Sequence, residues 1–395
     1  MVYFSMDIMD IEQLKQNFIA RYGGDIEAVH GYFAPGRVNL IGEHTDYNKG
    51  FVLPCALIFG TYLLIRQNKD GLVRMASENF DYGDEIPLLQ LHQPQPGKWM
   101  NYPLGVIDQL IKSGFEARGL DMLFYGNIPN GAGLSSSASI EVLTAFAIND
   151  LFDLALDKIT MVKMAQKAEN EFVGVNCGIM DQFAVGMGKA DHAVFLDCGT
   201  LDYELVPLDL GDYKIVIANT NKQRKLSESK YNERVEECAT AMKYLSKYKA
   251  IDSLSDLSYQ EFVDHKHHIP DIVIRKRAKH VLSENQRVLD AVKVLAEGKL
   301  NVFGKLMNAS HNSLRYDYEV TGYELDILVE EARQTEGVLG ARMTGAGFGG
   351  CAIALVAQNA IDKFIDRVGE NYKRRTGLTA DFYISEIGDG VKKIG

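Results

Sequence analysis

Apolar residues recur every three or four positions along much of the chain, and elsewhere they run together between turn residues. The first spacing is typical of helices and the second of buried strands. Helices are predicted at 11–21, 99–114, 139–154, 160–174, 229–245, 283–298, 301–317 and 323–334. Strands are predicted at 61–68, 72–77, 120–129, 192–198, 213–220, 350–357 and 380–387, with one more helix between the last two. Helices and strands are interleaved in both halves, so the pattern predicts an α+β fold.

The length of 395 residues fits two or three domains of roughly 100–200 residues each. We place one boundary in the turn-rich stretch 190–212, which gives an N-terminal domain at 1–200 and a C-terminal domain at 201–395. The nearly uncharged run 51–65 is 15 residues long, whereas a membrane span needs about 20. Pro54 and Gly60 also interrupt it, so a buried pair of strands explains it better and no membrane partner is expected.

Composition narrows the function classes further. A net charge of −11 disfavours nucleic acid as a partner, and the short basic cluster 274–280 is interpreted as the solvated face of a helix. Five widely spaced cysteines without a C-x-x-C pair favour reduced thiols in a cytoplasmic protein over a disulfide or zinc framework. The N-terminus lacks a basic segment, so no signal peptide is expected. A monomer or weak homo-oligomer is expected.

The stretch GAGLSSSA (131–138) stands between a predicted strand and a predicted helix. Backbone N–H groups of a glycine-rich turn and a helix N-terminus attract anions, and a serine hydroxyl can bind Mg²⁺. The P-loop pattern G-x-x-x-x-G-K-[ST] is absent from the chain, and no lysine ends this loop. By spacing alone the stretch fits a phosphate cradle and a long helix cap equally well.

Three further stretches carry candidate chemistry. GRVNLIGEHTDYNKG (36–50) gathers an arginine, two acids and a histidine, which suits a polyhydroxylated ligand, although a polar turn is the alternative. In the second stretch, GVNCGIMDQFA (174–184), Asp181 follows an apolar pair and is expected to be partly solvated, as a general base often is. A helix-capping aspartate is the alternative. Glu169 lies twelve residues upstream on an apolar helical stripe and points either into a site or to solvent.

The third stretch, TGAGFGGCAIAL (344–355), contains G-x-G-x-x-G, but the glycines lead into a predicted strand. A dinucleotide fingerprint needs a helix there, so we reject it and keep a glycine loop that can approach a ligand. The histidines of HKHHIPD (265–271) have no second ligand cluster and are interpreted as a surface loop. Trp99 is interpreted as a core residue that could also flank a planar base together with Tyr102.

Taken together and in this order, these motifs resemble the GHMP family of small-molecule kinases, and most of all its members that phosphorylate galactose. The resemblance runs from about residue 10 to the C-terminus. It implies a two-domain architecture with the active site in the cleft between the domains, and ATP-dependent phosphorylation of galactose at its C1 hydroxyl, the entry step of galactose catabolism. The implied partners are galactose and MgATP, with Mg²⁺ as cofactor.

The resemblance also implies residue roles. Asp181 is the implied catalytic base and Arg37 the implied transition-state stabiliser, which also keeps Asp181 ionised. The implied metal ligands are Ser137 and Glu169. The sugar-binding residues implied are Glu43, His44, Thr45, Asp46, Gly178 and Tyr231. The nucleotide-binding residues implied are Ser77, Trp99, Tyr102, Gly131, Ala132, Gly133, Leu134, Ser135, Ser136 and Ser137.

Two other functions stay open at this point. One is a kinase of a related sugar such as N-acetylgalactosamine, because the sugar pocket cannot be resolved from one sequence. The other is a non-catalytic regulator that binds galactose and ATP; such relatives lack a Ser-Ala pair in the serine loop, which is intact here.

Overall fold

The computed structural model describes residues 10–95, 97–129, 131–223 and 227–394. The strands are β1 His30–Asn39, β2 Phe51–Val52, β3 Pro54–Gln67, β4 Leu72–Ser77, β5 Phe80–Pro87, β6 Leu120–Gly126, β7 His192–Asp197, β8 Tyr203–Pro207, β9 Tyr213–Asn219, β10 Val338–Thr344, β11 Cys351–Ala357, β12 Asp381–Ser385 and β13 Lys392–Lys393. The α-helices are α1 Ile11–Tyr22, α2 Asn101–Lys112, α3 Ser136–Phe152, α4 Lys158–Lys167, α5 Met180–Met187, α6 Ser227–Leu245, α7 Tyr259–His265, α8 Ile272–Ala296, α9 Leu300–Ser313, α10 Gly322–Arg333 and α11 Ile361–Thr376.

The first half is built on a six-stranded sheet in the order β13-β1-β3-β6-β4-β5, in which only the β4–β6 pair is parallel. Alternate side chains of a strand point to opposite faces. Leu63 and Ile65 of β3 accordingly pack into the core under α2 and α3, whereas Leu64 packs against Phe18 of α1 on the other face. The sheet is therefore covered on both faces.

The second half contains a four-stranded antiparallel sheet in the order β10-β11-β9-β12. Its core joins apolar residues of these strands with those of α6, α8, α10 and α11. A small third sheet, β2-β7-β8, joins the short strand β2 of the first half to the hairpin of β7 and β8. The predicted α+β mixture is confirmed. No helix in the described part of the chain is both long and apolar enough to cross a membrane.

The boundary predicted after residue 200 falls in the turn between β7 and β8, which pair with each other. At the other end of the chain, β13 pairs with β1 of the first sheet. The division into 1–200 and 201–395 is not tested by these contacts and stays a prediction.

Two expectations from the sequence need correction. The run 51–65 forms two buried strands, β2 and the first part of β3, but they belong to different sheets and do not pair with each other. Gly60 does not break β3, since it lets β1 approach so closely that a Cβ atom there would lie 2.0 Å from the carbonyl oxygen of Ala34. The basic cluster 274–280 is only partly solvated. Arg277 and His280 lie on the buried face of α8, where Arg277 forms an ion pair with Glu237.

Candidate active site

A cavity of about 380 Å³ opens between the two halves of the molecule. Its walls contain most of the residues implied by the motifs: Arg37, Glu43, His44, Asp46, Gly133, Ser135, Ser136, Ser137, Glu169, Gly178, Asp181 and Tyr231. They come from β1 and the loop that follows it, the start of α3 and the loop before it, the π-helical turn after α4, the start of α5 and the segment before it, and α6. Val175, Asn176, Cys177, Met180, Asn232, Gly345 and Ala346 complete the wall.

The remaining implied residues are not part of this wall: Thr45, Ser77, Trp99, Tyr102, Gly131, Ala132 and Leu134. The Thr45 hydroxyl is buried between the carbonyl oxygens of Gly42 and Phe51, at 2.8 and 2.7 Å. Trp99 packs beside Phe80 and against Phe124, as expected of a core residue. The binding roles implied for these seven residues stay predictions.

Arg37 and Asp181 form a two-pronged ion pair at the cavity wall. Nε of Arg37 donates to Oδ1 of Asp181 at 2.8 Å and Nη2 donates to Oδ2 at 2.6 Å. The Arg37 side chain is 5% exposed and that of Asp181 29% exposed, so the base candidate is partly solvated, as the sequence predicts. The fork of a guanidinium matches a carboxylate in this way and holds it in one orientation.

Local backbone geometry places Arg37 in this position. The register of β1 shifts between Pro35 and Arg37, which is typical of a bulge that re-aims a side chain. The Arg37 N–H donates to the carbonyl oxygen of Leu134, and Nη1 donates to that of Gly133 at 2.9 Å. Strand β1 is therefore tied directly to the glycine–serine loop.

The glycine–serine loop leads into the N-terminus of α3. Ser135 adopts a left-handed conformation with φ of 64°, and its hydroxyl donates to Oδ2 of Asp181. Ser136 and Ser137 then form the first turn of α3, where backbone N–H groups have no helical acceptor and the helix dipole is positive. The loop can therefore attract an anion without a lysine.

Glu43 is a buried residue of the cavity wall, and its carboxylate is hydrogen-bonded mainly to the protein. One carboxylate oxygen accepts from the N–H of Gly345, and the other accepts from the Asn39 amide and from Nη1 of Arg342 at 3.3 Å. Burial raises the pKa of Glu43, and the nearby Arg342 opposes this. These hydrogen bonds join the loop after β1 (residues 40–50) to the glycine loop 345–350, and they leave little of the Glu43 carboxylate free for a ligand.

His44 is also occupied on both sides of its ring. Nε2 lies 3.2 Å from the carbonyl oxygen of Ala346, which can only accept, so the tautomer assigned from the partners carries its proton on Nε2. Nδ1 then accepts from the Tyr47 hydroxyl at 2.9 Å. Burial lowers the pKa of His44 to about 3, so the ring is neutral at pH 7.

Asp46 and Gly178 meet at the floor of the cavity. A Cβ atom on Gly178 would lie 1.9 Å from Oδ2 of Asp46, so only glycine allows this approach. Burial and the neighbouring Asp181 raise the pKa of Asp46 to about 7. The ring of Tyr231 lies beside them, 5.6 Å from that of His44. Together these groups offer hydrogen-bond acceptors next to an aromatic face.

Glu169 lies on a single π-helical turn, Ala168–Val173, that continues α4. Its carboxylate is buried, so the solvated alternative was wrong. Burial raises its pKa, and a hydrogen bond with Ser137 opposes this rise. Glu141 is hydrogen-bonded to Glu169, and burial together with the charge of Glu169 raises the pKa of Glu141 well above its ordinary value.

The oxygens of Glu169 and Ser137 are of the type that a hard cation prefers, but they are too few to hold one alone. Carboxylate and hydroxyl oxygens are the ligands that Mg²⁺ prefers, and it usually takes only one or two from protein while the substrate phosphates and water supply the rest. No cluster of three or more His, Cys, Asp or Glu side chains in the described ranges is arranged to hold a metal alone. A cation here therefore needs a phosphate ligand.

The sequence and the fold match a known class of kinase. Residues 101–189 match the family model described as GHMP kinases N terminal domain, and residues 291–374 match GHMP kinases C terminal. The crystal structure of a Methanococcus jannaschii mevalonate kinase, 19% identical, gives a TM-score of 0.64 over 91% of this chain and 98% of that one. The architecture is that of the GHMP kinases, with an N-terminal and a C-terminal domain.

The comparisons within this class are more specific. Residues 16–67 match the galactokinase galactose-binding signature. The galactokinases of Clostridium beijerinckii and Fusobacterium nucleatum are 53% and 54% identical, over 98% and 97% of this chain and 100% of each relative. Lactococcus lactis galactokinase complexed with galactose is 47% identical, with a TM-score of 0.94 over 97% of this chain and 100% of that one. The chain belongs to the galactokinase family.

Several wall residues were missed by the sequence reasoning. Asn232 follows Tyr231 directly, and Ala346 lies inside the glycine motif that was singled out, so both had a positional signal. Glu141 stands four residues after Ser137 on the same face of α3, a spacing that could have associated the two. Cys177 lies inside the stretch GVNCGIMDQFA (174–184) that contains Asp181, but no role was predicted for it.

Proposed function

We propose that this protein transfers the γ-phosphoryl group of ATP to the C1 hydroxyl of galactose, giving galactose 1-phosphate and ADP. The observation that carries the proposal is the Arg37–Asp181 pair, which faces one cavity together with the serine loop and Asp46. Phosphoryl transfer depends mainly on positioning and on electrostatic stabilisation, and this arrangement supplies both.

Asp181 is the proposed base. A carboxylate oxygen has two lone pairs. Oδ2 receives hydrogen bonds from Arg37 and Ser135, whereas Oδ1 receives one from Arg37. The second lone pair of Oδ1 is therefore open to the C1 hydroxyl and accepts its proton as the sugar oxygen attacks the phosphorus. General-base help of this kind is typically worth ~10²–10⁴ in rate.

Arg37 has two proposed tasks. It orients Asp181, and its positive charge offsets the negative charge that builds on the transferred group. The backbone N–H groups of residues 131–137 hold the phosphates at the start of α3, and Ser77, Trp99 and Tyr102 contact the nucleoside as the family resemblance implies.

The sugar lies against Asp46, Gly178 and Tyr231 in this proposal. Asp46 accepts sugar hydroxyls through the oxygen that approaches Gly178. Glu43, His44 and Thr45 belong to the same loop as Asp46. Glu43 and His44 are hydrogen-bonded to other parts of the protein, and in this proposal they stabilise the conformation of the loop.

Ser137 and Glu169 would hold the cation, which we propose is Mg²⁺. When bound, the cation neutralises phosphate charge. The residues fit because the hydroxyl of Ser137 and the carboxylate of Glu169 lie within hydrogen-bond distance of each other on the cavity wall, where a phosphate would complete the ligand set. The cytoplasmic location and the monomeric or weakly oligomeric state stay predictions.

The test is ADP release from ATP with a panel of hexoses, each with and without Mg²⁺. Galactose is expected to give ADP and a sugar 1-phosphate only when Mg²⁺ is present. Faster turnover of N-acetylgalactosamine would reassign the substrate. Stoichiometric binding of galactose and ATP without ADP formation would overturn the kinase and favour the regulator.

A further inference from the structure

Gln182 connects the base and the proposed cation ligand through the protein interior. It directly follows Asp181 in α5 and is fully buried, so it is not itself part of the cavity wall but lies directly behind it. Its Nε2 donates to Oε2 of Glu169 at 2.6 Å and lies 3.3 Å from Oε2 of Glu141. One amide group thus joins three separate elements: α5, the π-helical turn Ala168–Val173, and α3.

These contacts distinguish the two oxygens of Glu169. Oε2 accepts from the Gln182 amide at 2.6 Å, and the Cys177 sulfur also lies 3.4 Å from it, although the single thiol proton has a nearer acceptor in Oδ1 of Asn170 at 3.2 Å. The Gln182 amide is therefore the group that holds Oε2. This leaves Oε1 as the oxygen to face a cation together with the Ser137 hydroxyl.

Packing alone does not account for an amide at position 182. Oε1 of Gln182 is buried without a hydrogen-bond partner among the residues that the structure describes. A buried polar atom left unpaired costs stability, and an apolar side chain of the same size would avoid that cost for Gln182. The hydrogen bond to Glu169 is what the amide adds.

We infer that Gln182 is a positioning residue that orients the carboxylate of Glu169 so that one oxygen is presented to the cation bound with the nucleotide. The inference rests on the proposed function. Because Gln182 and Asp181 are neighbours on one helix, the same contact also fixes the base relative to the cation. Partners of metal ligands commonly change metal affinity by about 10–100-fold when they are removed.

The chain contains a matched control. Gln109 of α2 is also buried, and its Nε2 donates to a carboxylate oxygen of Glu171 at 3.0 Å. Glu171 lies on the same π-helical turn as Glu169 but is not part of the cavity wall. The variants Gln182→Met and Gln109→Met therefore remove the same kind of hydrogen bond from neighbouring carboxylates.

The test uses binding rather than turnover. The Kd of a non-hydrolysable ATP analogue is measured by calorimetry in excess Mg²⁺ and again in EDTA, with galactose present. The ratio of the two values reports how strongly the cation tightens the nucleotide. We expect this ratio to fall about tenfold in Gln182→Met and to stay within about twofold of wild type in Gln109→Met. The galactose Kd is expected to stay unchanged in both variants.

An unchanged ratio in Gln182→Met, or an equal fall in both variants, would overturn the inference. If Gln182→Met does not fold, the same ratio is measured for Gln182→Asn, whose amide is one methylene too short to reach Glu169; a wild-type ratio there overturns the inference as well. A wild-type ratio near one would overturn the cation site together with the inference, while the hexose panel decides the proposed function separately.

Discussion

Replacing Asp46 by asparagine keeps the shape of the side chain and removes its titration. Burial beside Asp181 raises the pKa of Asp46 from 3.8 to about 7. The folded protein therefore holds a proton on Asp46 that the unfolded chain has already released between about pH 4 and pH 7. Because the folded state binds the extra proton, the free energy of unfolding falls as the pH rises through this window.

The size of the effect follows from the shift. Each pKa unit corresponds to about 1.4 kcal/mol, so a shift of roughly three units sets a ceiling of about 4 kcal/mol. Partial access of water to the cavity reduces this, and we expect about 2–4 kcal/mol. In Asp46→Asn this loss is absent, so the variant becomes progressively more stable than wild type as the pH rises from 4 to 8.

The assay is urea unfolding of the sugar-free protein at several pH values. The free energy of unfolding of the variant is compared with that of wild type at each pH, so that the contributions of all other titrating groups cancel. Asp150→Asn is the control, because hydrogen bonds from Lys393 and Tyr32 lower the pKa of Asp150. That variant is expected to be less stable than wild type by a constant amount between about pH 4 and pH 8, with the difference shrinking only below about pH 4. A difference for Asp46→Asn that is flat, or that falls with pH, would refute the reasoning. The same variant should lose affinity for galactose.

Three further variants test the geometry of the site. Arg37→Lys keeps the charge but loses the fork, so single-turnover rates should fall ~10²–10³-fold; near-normal turnover would mean that charge alone suffices. Gly178→Ala places a Cβ atom 1.9 Å from Oδ2 of Asp46, so the galactose KM should rise at least about tenfold in steady-state kinetics, and an unchanged KM would remove Asp46 from the sugar site. Ser137→Ala should raise the Mg²⁺ concentration needed for half-maximal activity, and an unchanged titration would remove Ser137 as a ligand.

Strongly patterned elements could be predicted from the sequence, and weakly patterned ones could not. Helix α3 and strand β11 carry clear periodicity and were predicted. Strand β5 is largely exposed and polar and was missed. Strand β10 was also missed: it contains Gly340, which reads as a strand breaker but allows a close approach of α9, where a Cβ atom would lie 2.2 Å from the carbonyl oxygen of Gly304.

The candidate site shows the same limit. Each motif was visible locally, but Arg37 and Asp181 lie 144 positions apart, and the family resemblance rather than spacing brought them together. Their two-pronged geometry depends on the bulge in β1 and the left-handed turn at Ser135, which local pattern does not specify. Gln182 was missed because its role depends on three elements that meet only in the folded protein.

The most direct test of the account is phosphoryl transfer from ATP to galactose by Asp181→Asn in a single turnover, with the product identified by phosphorus NMR. The wild-type protein is expected to form galactose 1-phosphate. The variant should bind galactose with near-normal affinity and transfer the phosphoryl group ~10²–10⁴-fold more slowly. Near-full transfer by a folded Asp181→Asn protein would contradict the assignment of Asp181 as the base.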